Sequence, residues 1–222
     1  HRDLHLSIRR QRQMCIRDRV TGVQGISWTE YRVTGTSNHA GTTPMRLRHD
    51  AGFVAAAITT EARRLADGLG GDQVATVGVT ELRPNLVNVI ANHARITVDL
   101  RNTTENILQQ AEASMTQYIA KLAAIEGVEV ASRSLARFSP VEFSPDVMNL
   151  IETTANERGY ACQRLPSGAG HDAQMFAPNC PTGMIFVPSQ GGISHNVKEF
   201  TAAVEIDAGL DVLTQVVLQL TE

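Results

Sequence analysis

From residue 26 to residue 35 apolar and polar positions alternate, with Tyr31 and Val33 set between Glu30, Arg32 and Thr34, and this period of two predicts a half-buried strand. After the loop NHAGTTP the period lengthens. Phe53, Ala57, Ile58, Ala62 and Leu65 fall on one helical face, and Gly68, Gly70 and Gly71 stop that helix. Two strands are then expected, over 74–82 with Val77 and Val79 on one face and over 89–101 with Ile96, Val98 and Leu100 on one face. Pro84 and Asn85 turn the chain between them. Asn102 followed by Glu105 resembles a capping box for a second helix, whose stripe is Leu108, Ala111, Met115, Ile119 and Leu122 and whose end is Gly127. A strand over 128–138 completes the order strand, helix, strand, strand, helix, strand. That order predicts a ferredoxin-like βαββαβ unit of α+β type over 26–138, both helices on one face of an antiparallel sheet.

Beyond residue 138 the pattern becomes that of an α/β domain, over 139–222. Ser144 and Pro145 are an N-cap and N1 pair for a helix that Gly159 closes, and the apolar run at 184–187 suits a fully buried strand. A last helix from about Thr201 carries Ile206, Leu210, Leu213, Val217 and Leu220 as the face to be laid on a core. Residues 1–19 carry six arginines without a helix or strand period, and QMCIRDR within them reads as translated adapter sequence joined to a broken reading frame. The segment is therefore expected to be non-native and outside the fold, rather than a basic arm for nucleic acid.

The chain has 222 residues, 42% of them hydrophobic and 19% charged, enough to bury a core in one or two domains. A net charge of −3 gives no global attraction for nucleic acid or an anionic membrane, which points to a small-molecule partner. No apolar run approaches the roughly 20 residues that span a bilayer, and no signal-peptide core is seen, so a cytoplasmic location is expected. Cys15, Cys162 and Cys180 are odd in number and lack CxxC spacing, which argues against a disulfide framework or a thiolate zinc site.

Three histidines, His39, His171 and His195, lie in loops rich in Gly, Ser, Asn or Thr, where sites are commonly built. His195 follows the 184–187 strand through PSQGGIS, as a ligand or catalyst at a strand end would, or as a side chain that only bonds backbone. In SGAGHDA the glycines, Gly170 among them, and His171 either bind a polar group or shape a turn that Asp172 caps. In NHAGTTPM, His39 either donates to a ligand carbonyl or belongs to a loop whose hydroxyls and amides cap the next helix. Arg101 shares a strand face with Asp99 and Thr97; its planar fork suits a carboxylate, from a substrate or from a neighbouring acid. Asn88 adds an amide contact there or stabilises the turn. No GxSxG elbow, Walker loop or GxGxxG following a strand is present.

VTGVQGISW, NHAGTTPM, PNLVNVI followed by VDLR, SGAGHDA, and MIFVPSQGGISHN with Glu199 occur together in this order. Over residues 20–222 the chain thereby resembles the N-carbamoyl-L-amino-acid hydrolases, allantoate amidohydrolases and related ureido-acid amidases, a group of M20-like metallohydrolases. One departure is visible, Ala91 and Asn92 standing where the family continues with Pro-Gly.

The resemblance implies a homodimeric amidase with two divalent metal ions, Zn or Mn with Co or Ni as further choices, acting on a ureido acid. Residues 20–25 would end the first part of a metallopeptidase-like catalytic domain, 26–138 would be its lid and dimerisation domain, and 139–222 its C-terminal part. His195 would be a metal ligand, and Asn88 and Arg101 would hold the substrate carboxylate. His39 would polarise the scissile carbonyl in the partner's site, and Gly170 and His171 would line the pocket. The family's other ligands, a first His, a bridging Asp, a Glu pair and a further His, belong upstream of Val20, so the chain as written is expected to be inactive. Allantoate hydrolysis is the nearest alternative activity, and a non-catalytic dimerising or binding module is the alternative of another class.

Overall fold

Along the strand His93–Asn102 every second side chain is buried: Ala94, Ile96, Val98 and Leu100 are at most 4% exposed, while Arg95, Thr97, Asp99 and Arg101 alternate with them. The computed structural model describes residues 17–221 and divides them into two compact units. One is residues 24–140; the other is the described part of residues 1–23 together with residues 141–222.

The first unit runs β2 (Gly25–Thr34), α1 (Ala51–Leu69), β3 (Val74–Arg83), β4 (His93–Asn102), α2 (Glu105–Glu126) and β5 (Glu129–Phe138), the order that the pattern predicts. Its strands are antiparallel in the order β3-β4-β2-β5. Ile58, Leu108 and Met115 from the two helices pack on Val33, Ile96 and Val98 from the sheet, so one sheet face is covered and the other is open. Asp50 starts α1 by accepting from the amides of Gly52 (2.8 Å) and Phe53 (3.1 Å), so the NHAGTTP loop does not supply that cap.

Two further expectations change in this unit. Residues 89–92 do not extend β4, because their backbone groups are taken elsewhere: Ile90 N donates to Asn38 O (2.9 Å), Asn92 N to Arg83 O (3.0 Å), and Ala91 O accepts from Ala51 N (3.0 Å). Asn102 and Glu105 do not form a capping box. Thr104 is the N-cap, Asn102 Oδ1 accepts from its amide (2.8 Å), and Glu105 is held by Arg137 (2.6 Å), which leaves it unable to reach back.

In the second unit β1 (Arg17–Val23) is central. It pairs parallel with β7 (Cys162–Ser167) and antiparallel with both β6 (Val141–Glu142) and β8 (Ile185–Phe186). Residues 17–19 are therefore strand, which corrects the end of the irregular N-terminal stretch; 1–16 lie outside the described residues. The 184–187 run is strand over two residues only, and Val187 is 37% exposed, so this element is not fully buried. Helix α3 (Pro145–Glu157) has Ser144 at its N-cap and Pro145 in its first turn, and the short α4 (Ala173–Phe176) follows the SGAGHDA loop.

Helix α5 (Ala203–Thr221) reverses a third expectation in this unit. Ala208, Gly209, Val212 and Val216 are its buried face, while Ile206, Leu210, Leu213, Val217 and Leu220 stand about half exposed. Small side chains win because they allow close approach: a Cβ on Gly209 would lie 2.5 Å from Val187 Cγ1. No helix among the described residues is long and apolar enough to cross a membrane.

Glu30 is 2% exposed on the open sheet face, where it accepts from Arg95 Nε (2.8 Å) and Arg32 Nε (2.9 Å), with Arg133 at 3.4 Å. The Arg95 hydrogen bond, aided by the Arg133 and Arg32 charges against the opposing effect of burial, holds its carboxyl below the usual range. Glu105 is lowered likewise, first by Arg137. A carboxyl lowered on folding adds stability above its unfolded pKa and loses it as pH falls through the folded one. The thermal midpoint should thus fall between about pH 5 and pH 2, and Glu30→Gln should make that fall shallower in melts at stepped pH. An unchanged slope in the variant would remove Glu30 from this role.

Candidate functional site

The loop after β2 is fixed at both ends. Gly35 N donates to Asn92 O (2.8 Å) and Thr36 N to His49 O (2.9 Å); a Cβ on Gly35 would lie 2.1 Å from that same carbonyl, so only glycine fits. Arg48 then ties the loop to itself, its Nη2 donating to Ala40 O (2.6 Å) and its Nε to Thr43 O (3.1 Å). Across from it, Ala40 N donates to Asn88 O (2.9 Å), and His39 and Val89 form an antiparallel bridge. His39 and Asn88 are thereby brought to adjacent, exposed positions of neighbouring segments.

His39 Nδ1 accepts from the amides of Gly41 (3.0 Å) and Thr42 (3.2 Å). Both donors are backbone N–H groups, so Nδ1 is the lone-pair nitrogen and the neutral ring carries its proton on Nε2. His39 therefore presents a donor outward. Such a group suits a carbonyl oxygen that gains negative charge.

Arg101 lies at the other end of the sheet. Residues 93 and 101 are eight strand positions apart, about 26 Å at strand spacing, so one small molecule does not touch Arg101 and the Asn88 turn in the same copy. Arg101 is gripped by Asp99, Nε lying 3.0 and 3.1 Å from its two carboxylate oxygens and Nη2 lying 2.7 Å from Oδ2. Its guanidinium carbon is 5.7 Å from the centre of the Trp28 ring, within cation–π range. Trp28 pairs with Asp99 in the β2–β4 register. Sequence reading passed over Trp28 and saw Asp99 only as sharing a face with Arg101, because strand register is not a local property of the chain.

In the second unit Ser167 ends β7 at 1% exposure. Its Oγ lies 2.8 Å from His171 Nε2, and the His171 ring stands 5.7 Å from that of Phe186 at 58°. Gly170 is exposed beside it. Asp172 occupies the N-cap position of α4 without a side-chain cap bond, so the capping reading does not hold. His195 is exposed in a turn where its own amide donates to Glu199 Oε2 (2.9 Å) and Lys198 N donates to Asn196 Oδ1 (3.0 Å). Among the described residues it alone of the non-glycines has positive φ, at 56°. A side chain held in that region costs about 1–2 kcal/mol, and such outliers gather at functional sites. No group of three or more His, Cys, Asp or Glu that could hold a metal ion exists among the described residues. Taken alone, His195 and its turn do not fit a resident metal centre.

Residues 30–219 match peptidase family M20/M25/M40. Over 220 residues the chain is 32% identical to allantoate amidohydrolase of Bacillus subtilis (strain 168), covering 98% of this chain and 53% of that protein. It is 35% identical over 207 residues to N-carbamoyl-L-amino acid amidohydrolase of Geobacillus stearothermophilus, covering 91% and 49%. A crystal structure of an amidase of the hydantoinase/carbamoylase family from Burkholderia multivorans superposes with a TM-score of 0.88 at 35% identity, covering 94% of this chain and 51% of that one. The chain spans about half the length of the curated relatives it matches.

The backbone at His195 generates a stability test. His195→Gly should leave stability unchanged or raise it by up to about 1 kcal/mol, since glycine takes positive φ freely, whereas His195→Val should lower it by about 1–2 kcal/mol. Urea unfolding of the three proteins reads the difference. Equal losses in both variants would mean that the imidazole contacts, not the backbone, dominate there.

Proposed function

Because the chain belongs to peptidase family M20/M25/M40, whose members generally use divalent metal ions, we propose that it carries substrate-holding residues of an amidohydrolase that cleaves the ureido C–N bond of N-carbamoyl-L-amino acids. The single observation that carries this reading is the tautomer of His39, which turns an Nε2–H donor outward. In the proposed reaction that donor bonds to the ureido carbonyl, and its bond strengthens as the oxygen becomes an oxyanion. Arg101, oriented by Asp99, takes the substrate carboxylate in a charge-assisted pair.

In this proposal the roles are divided between two copies, a reading that the separation along β4 supports. In a homodimer formed through residues 26–138, His39 and Asn88 of one copy serve the substrate whose carboxylate lies on Arg101 of the other. Asn88 would then assist His39 rather than share the carboxylate with Arg101. Gly170 and His171 line the pocket for the ureido group.

A pair of Zn or Mn ions, with Co or Ni as further choices, would supply the activated water in the whole protein. His195 would be one ligand of such a set, which the described residues do not complete, and the 222-residue chain by itself is proposed to be inactive. Allantoate is the second candidate substrate, favoured by the similarity to the Bacillus subtilis enzyme.

Ammonia release from N-carbamoyl-L-methionine and from allantoate, with added Mn²⁺ or Zn²⁺, tests the reading in this chain and in a full-length protein containing it. Turnover should be confined to the longer protein. There His39→Ala should lower kcat by about 10²–10³-fold, and Arg101→Ala should raise KM by roughly 10–100-fold with a smaller change in kcat. Turnover by the short chain, or a full-length protein inert on both substrates, would overturn the proposal.

A further inference from the structure

Three contacts surround the Ser167 hydroxyl beside the second loop histidine. Ala169 N donates to Ser167 Oγ (3.2 Å), Ser167 Oγ donates to Ala169 O (3.1 Å), and His171 Nε2 lies 2.8 Å from the same oxygen. A hydroxyl has one hydrogen and two lone pairs. The Ala169 carbonyl has no hydrogen to give, so it takes the one that Ser167 offers. The Ala169 amide fills one lone pair, and with the hydroxyl hydrogen on the Ala169 carbonyl the other faces His171 Nε2, an arrangement that pairs with a proton on Nε2. The neutral ring is left with its lone pair on Nδ1, and Nδ1 makes no hydrogen bond among the described residues. Phe186 sets the plane of the ring, and the neighbouring positions 168–170 are exposed.

We propose that Ser167 is a positioning residue that locks His171 as an Nδ1 acceptor, and that His171 thereby recognises the N–H of a urea or ureido group. The ligand class rests on the ureido-acid reading; the tautomer lock does not. A urea presents one carbonyl acceptor and several N–H donors. His171, with its lone pair on Nδ1, matches the N–H groups. A carboxylate alone brings no hydrogen for Nδ1 to accept.

Long-range ¹H–¹⁵N spectra of the ¹⁵N-histidine-labelled chain, recorded at about pH 8 where an ordinary imidazole is neutral, read the tautomer directly. His171 should show a protonated Nε2 and an unprotonated Nδ1. Ser167→Ala should collapse this into an averaged pair of shifts, and Ser167→Thr should restore it. A proton on Nδ1 in the unmodified chain, or the same tautomer in folded Ser167→Ala, overturns the lock. Titration with N-carbamoylglycine should then shift the His171 Nδ1 resonance, and succinate should not. An equal response to both, or to neither, overturns the ligand assignment while leaving the lock standing. The ammonia assay judges the proposed reaction separately.

Discussion

A strand turns successive side chains to opposite faces, and on β4 this single constraint fixes both the core of the first unit and its candidate chemistry. With Ala94, Ile96, Val98 and Leu100 packed beneath α1 and α2, Arg95, Thr97, Asp99 and Arg101 have only the open face to occupy. A slip of one residue would bury the charges and expose the core, so the register is held by the full apolar set. The rigid rise of the strand also separates Arg101 from the His39–Asn88 end. Glu30 gathers Arg95, Arg32 and Arg133 around one buried carboxylate in the middle of the same face.

The loop histidines illustrate how fixed neighbours decide what an imidazole can do. Two backbone amides on Nδ1 make His39 a donor, and a buried hydroxyl on Nε2 makes His171 an acceptor. Neither outcome depends on the histidine itself. Arg101 follows the same logic: Asp99 and Trp28 hold the guanidinium plane, so its charge arrives at the sheet surface already oriented.

In the second unit, close approach decides which face of the last helix is buried. Gly209 lets α5 settle against Val187, and its small neighbour Ala208 is buried while larger residues of the same helix are half exposed. The His195 turn is held by Glu199 and Asn196 in a conformation that only a well-bonded loop sustains.

Periodicity made β2, β3, β5, both long helices of the first unit and the beginning of α3 legible, because burial of one face is written locally at every second or every third to fourth residue. Loop composition likewise marked His39, His171 and His195. Hidden were β1, β6 and β7, whose short or polar segments carry no clear period of their own. The buried face of α5 was hidden as well, since a glycine packs closely only where a particular neighbour such as Val187 waits. Asn102, Asp99, Trp28 and Ser167 took partners that no spacing announces. The sequence by itself determined which residues could be buried and which loops could carry chemistry; the tertiary structure alone decided which donor meets which acceptor, because a hydrogen bond depends on positions that distant parts of the chain must supply.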